Sequence, residues 1–205
     1  MACRSAKSAH APRLLRDIHV TTLLRADAYT RLLTALWPAG ESSATDVYAV
    51  LDGARDARIA GRVESYLDQK ACLYEGTLPR ELTKVAPHLL RLFCDDHFCK
   101  RLLQDGWGLS WGVFAIAPTS LTSLRRHFRK FMVVRGPAGS RLVFRWYDPR
   151  VLRIYLPTCT VEDLRTVFGP IEAFVVEGSE RDTAIRFAFD GERLTESVIR
   201  LDGDL

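Results

Sequence analysis

The side chains able to do chemistry in this chain fall into four groups. Asp52 closes the apolar run VYAVL, residues 47–51, and is followed by Gly53. Strand ends line clefts in α/β folds, so a carboxylate there could serve as a base. Closing a turn at Asp52-Gly53 is the simpler role, and no second carboxylate is tied to it by spacing. Cys94 and Cys99 flank Asp95, Asp96 and His97. On a helix, residues five apart diverge, and His97 meets both thiols at a poor angle. No other ligand pair stands at zinc-like spacing, so reduced, half-buried thiols are expected. Trp107 and Trp111 lie among Gly106, Gly108 and Gly112. The indoles could stack on a sugar or base, but filling core space beside glycine is the expected role. The segment GWGLSWG lacks the Lys-Ser/Thr pair of a phosphate loop, and no G-x-S-x-G elbow occurs. The fourth group is basic. Arg125 and Arg129, and Arg126 and Lys130, are each four apart and make two adjacent cationic rows on one helix. Such rows bind phosphate, dock acidic proteins or face solvent. A binding protein is therefore expected, with no catalytic residues, no metal and no cofactor.

The stretch FRWYDPRVLRIY, residues 144–155, carries the most local information. Alternation predicts a strand from Arg141 to Tyr147, with Leu142, Phe144 and Trp146 on one face and Val143, Arg145 and Tyr147 on the other. Asp148 is placed to cap a helix, and Pro149 fits its first position, where no N–H is needed. Arg145, Asp148 and Arg150 lie close along the chain, which predicts a charged junction.

These residues need a scaffold, and the rest of the chain supplies one. Its 205 residues are 47% hydrophobic and 26% charged, as in an ordinary globular protein. No apolar run reaches membrane length, and MACRSAKSAHAPRLLRD lacks the apolar segment of a secretory signal. A cytoplasmic protein without a membrane partner is expected. The net charge of +4 gives little support to a nucleic-acid partner. Five scattered cysteines do not form a disulfide framework.

Tyr29, Leu32, Leu33 and Leu36 predict a helix. Residues 47–51 then predict a strand, Ile59 to Leu67 a helix and Ala71–Tyr74 a second strand. This order argues for an α/β (α+β) fold with a mixed sheet flanked by helices. Further strands are expected at 86–93, 111–116, 132–135 and 171–176. Helices are expected around Phe98–Leu103, Leu121–Phe131 and Leu164–Phe168. Ile185, Phe187 and Phe189 alternate with polar residues in a late strand, and Glu192–Leu201 returns as a strand or short helix. The expected division is a lead-in and helix over 1–45, a core domain over 46–177 and an appendage over 178–205.

Six segments in order add a resemblance: VYAVLDGA, CLYEGTLPREL, APHLLRLF, GWGLSWGVF, LRRHFRKFMVVR and FRWYDPRVL. Together they resemble domain of unknown function 4123, the type VI secretion effector chaperone or adaptor family, from about Val47 to Phe168. The resemblance implies a non-enzymatic protein that binds a toxic effector in the cytoplasm and helps load it onto the VgrG spike, often through a PAAR-type domain. It implies that the motif residues Asp52, Trp107, Trp111, Arg145, Tyr147, Asp148, Pro149 and Arg150 are structural. Cargo contacts are then expected on Ile185, Phe187 and Phe189, unless that tail completes the protein's own core, or on the basic helix. The alternative is a nucleic-acid- or phosphate-binding protein using Arg125, Arg126, Arg129 and Lys130.

Overall fold

The computed structural model describes residues 24–38, 45–67, 69–136 and 139–202. Most of the expected lead-in and of the linker over 38–45 lies outside them. Helix α1 (Ala26–Leu36) is followed by β1 (Asp46–Asp52), α2 (Ala57–Ser65), β2 (Lys70–Cys72), α3 (Arg80–Val85), β3 (Pro87–Leu92), α4 (His97–Gly106) and β4 (Gly112–Ala117). Then come α5 (Leu121–Arg129), β5 (Val133–Arg135), β6 (Arg141–Val143), α6 (Pro149–Tyr155), α7 (Val161–Phe168), β7 (Ala173–Glu177), β8 (Thr183–Phe189) and β9 (Leu194–Arg200).

All the described α-helices except α1 and α3 start where short polar side chains satisfy the free N–H groups of a first turn. Asp56 accepts from Arg58 N at 2.9 Å, Asp96 from Phe98 N at 3.1 Å and Ser120 from Ser123 N at 3.3 Å. Thr160 and Asp163 cap α7 reciprocally.

Seven strands form one sheet in the order β2-β3-β1-β4-β7-β8-β9, and β5-β6 form a separate hairpin. The α+β class holds, but every neighbouring pair is antiparallel, so the sheet is not mixed. The strand–helix–strand units explain the difference. β1 and β2 do run parallel, as do β3 and β4, but each pair has a third strand inserted between its members. This is the split β-α-β arrangement.

Both faces of the sheet are covered. Ile59 and Val63 of α2, Leu102 and Leu103 of α4, and Leu32 and Leu36 of α1 pack on one face with Val47, Leu51, Phe114 and Ile116. Leu124 and Phe128 of α5, Leu152 of α6, and Leu164 and Phe168 of α7 cover the other, with Tyr48, Val113, Ala115 and Phe174. Double coverage is why β4 reads as a continuous apolar run rather than an alternation. β4 also lies hard against β1. A Cβ on Gly112 would stand 2.0 Å from the Val50 carbonyl oxygen, so only glycine fits there.

The segment after residue 177 continues this sheet. Phe187 is fully buried in the second cluster, and Ile185 and Phe189 pack against it. The apolar alternation expected to meet a partner is thus used by the protein's own core, because β8 is held inside the sheet, paired over Ala184–Ala188 with β7 and over its whole length with β9.

Candidate functional site

β1, β4 and β7 are neighbours and alternate in direction, so the end of β1, the start of β4 and the end of β7 meet at one edge of the molecule. Asp52 arrives there at 1% exposure. One carboxylate oxygen accepts from Ala54 N at 3.1 Å, closing the expected turn. The other accepts from the Arg145 guanidinium, 93 residues away. Asp148 caps α6 through Arg150 N at 3.0 Å, and Arg150 grips it with Nε at 2.9 Å and Nη2 at 2.6 Å. Burial opposes ionisation of Asp148, but the bonds from Arg150 outweigh it and hold the carboxyl below its ordinary value. The charged junction is therefore two ion pairs rather than one network of three residues.

Trp111 donates from Nε1 to Asp56 at 3.1 Å and lies 5.1 Å beneath the Arg58 guanidinium, which locks the cap of α2. Hydrogen bonding from Arg58 is the main reason the Asp56 carboxyl falls to about 2. Trp107 is core, with its ring centroid 6.2 Å from that of Phe114.

The expected strand over 141–147 is shorter than its pattern suggests. β6 stops at Val143, and Asp148 N turns back to Arg145 O at 3.0 Å. Trp146 and Tyr147 would face opposite ways in a strand; here both are buried. Pro149, also buried, opens α6. Replacing Asp148 by alanine is expected to cost about 1–2 kcal/mol in urea unfolding, a lost cap with a small ion-pair share because Arg150 is half exposed. An unchanged midpoint would contradict this.

Sequence reasoning missed Glu177, which is buried at the end of β7 beside this junction. It accepts from Ser110 N at 2.9 and 3.1 Å, and Ser110 takes φ 56° to present that N–H. A left-handed non-glycine residue carries strain. Burial pushes the Glu177 carboxyl up to about 7, against the pull of the Ser110 and Gly108 N–H groups and of Arg153 and Arg55. Only its strand position and its neighbour Gly178 hinted at it.

The basic helix divides into two rows with different work. Arg125 donates to Cys72 O at 2.9 Å, and Arg129 donates to Leu73 O at 2.8 Å and to Tyr74 O. They tie α5 to the end of β2, and carbonyls leave their charge uncompensated. Arg126 and Lys130 face solvent. Beside them stands the β5–β6 hairpin, whose Val133, Val134, Leu142 and Val143 are 40–54% exposed. Val133 with Val134, and Leu142 with Val143, are adjacent apolar pairs, so each short strand puts an apolar residue on both faces, and that was the available signal.

Among the described residues, no group of three or more His, Cys, Asp or Glu side chains is arranged to hold a metal ion. No helix among them is long and apolar enough to cross a membrane. Cys72, Cys94, Cys99 and Cys159 are free thiols.

Fold and site together define a three-layer α+β protein built on a seven-stranded antiparallel sheet, with ion-paired strand ends and an exposed apolar hairpin. The chain belongs to the family described as Domain of unknown function (DUF4123), whose model matches residues 47–166, more than half of its length. No curated protein and no solved structure shows a significant match to the chain.

Proposed function

We propose that this protein is a type VI secretion effector chaperone or adaptor, which binds a toxic effector in the cytoplasm and helps load it onto the VgrG spike. Family membership over residues 47–166 carries the reading. The motif residues it covers are spent on the protein's own frame, as Asp52 with Arg145 and Trp111 with Asp56 illustrate. Contact with cargo then falls to exposed surface, and the apolar β5–β6 hairpin is the part of that surface least suited to water.

Co-expression with the toxin encoded beside the gene, followed by pull-down and size-exclusion chromatography, tests the reading. A stable stoichiometric complex is expected. A toxin that is soluble alone and forms no complex would count against the adaptor role. A second reading, binding of nucleic acid or phosphate, draws on the uncompensated charge of Arg125, Arg126, Arg129 and Lys130. It requires salt-dependent binding to polyanions with no preference for protein.

A further inference from the structure

A two-stranded sheet is marginal in water by itself, yet β5–β6 presents apolar side chains on both faces. Register decides which residues share a face. Val133 stands opposite Val143, and Arg135 opposite Arg141, with all four on one side because residues two apart point the same way. That side borders a groove of about 330 Å³ walled by Leu73, Tyr74 and Met132. The groove runs on along α5 into a second of about 380 Å³, and Glu75, Arg129 and Lys130 line both.

An apolar centre thus has a cationic end on each side. Arg135 and Arg141 stand toward the hairpin tip, and Arg126 and Lys130 on the helix. Among the described residues, none of these four is ion-paired with a carboxylate. Charge complementarity fixes the sign of an occupant. Apolar seats between the two ends argue against a nucleic acid, whose phosphates repeat without interruption.

From this we infer that the groove takes an extended acidic segment of a protein partner, its apolar side chains seated against Val133, Val143 and the half-buried Tyr74 and its carboxylates against the two cationic ends. The source of the segment rests on the adaptor reading; its chemistry does not. The hairpin, with an open edge on each strand, also offers unpaired backbone groups to an extended chain.

The probe is a fluorescein-labelled synthetic peptide of about 12 residues alternating glutamate and leucine, titrated with the full chain and followed by anisotropy. Controls of equal length are an all-glutamate peptide, a lysine-leucine peptide and single-stranded DNA. Saturable binding to the glutamate-leucine peptide is expected, with all-glutamate and DNA at least about tenfold weaker. Val143→Asp, and separately Arg126→Glu with Lys130→Glu, should each weaken it by about tenfold or more, with the melting temperature unchanged because these side chains are exposed. DNA binding as tight as the peptide, indifference to Val143→Asp, or no peptide binding at all would each overturn the inference. A peptide that binds while the neighbouring toxin does not would leave the groove standing and remove the adaptor role instead.

Discussion

Trp146→Ala is expected to destabilise the protein by about 4 kcal/mol, the upper part of the range for emptying an aromatic site in a core. Trp146 is fully buried. Its ring centroid lies 4.4 Å from Phe128, 5.1 Å from Phe131, 5.8 Å from Tyr147 and 6.4 Å from Phe174. Those partners come from α5, the loop after it, the turn before α6 and the sheet. The rings are rigid and held from several directions, so the cavity has little means of collapsing. Urea unfolding monitored by tryptophan fluorescence and circular dichroism should show the midpoint falling with the slope unchanged. A loss below about 1.5 kcal/mol would mean that the cluster relaxes freely, against the packing described.

Glu177→Gln should stabilise the protein at alkaline pH and leave it nearly unchanged in mild acid. The folded carboxyl holds its proton up to about 7, against 4.5 when solvated. Between those values the folded state binds more protons than the unfolded, so stability falls as pH rises and then levels off above 7. The whole shift corresponds to at most about 3 kcal/mol, and a glutamine that fits the Ser110 N–H imperfectly returns part of it. His88 and His127, both lowered chiefly by burial, act in the opposite sense within this range. The measurement is therefore the difference between the variant and the native chain, followed as melting temperature from pH 5 to pH 8. It should widen with pH. A constant difference would show that Glu177 ionises as an ordinary carboxylate.

Much of the frame could be read from local pattern. The strand at 47–51, the cap at Asp148 with Pro149 behind it, and the Thr160–Asp163 box all arise from groups a few residues apart, and each stands where the pattern put it. Three features could not be read that way. The order of strands depends on insertion of β3 between β1 and β2, a pairing between segments whose periodicity is the same in any arrangement. The partner of Asp52 lies 93 residues away, and nothing in the spacing of either residue signals the other. Phe187 and Val143 look alike in sequence, each an apolar residue in a short strand, yet one is sealed in the core and the other faces water. Only the neighbours decide, and for β8 that neighbour is β7 on one side and β9 on the other.

The sheet order also limits how this chain can be divided. β7 begins after the last residue of the family-matched segment, yet it lies beside β4 near the middle of the sheet. A fragment ending at residue 166 would turn β4 into a bare edge. That strand reads GVFAIA, with no charge and no proline, and every residue in it is buried in the whole chain. Such a segment, once open to solvent, pairs with copies of itself and drives aggregation. β7, β8 and β9 therefore act as a shield as well as a scaffold, and β9, which ends the sheet, carries Glu196 and Arg200 along a margin that discourages further growth.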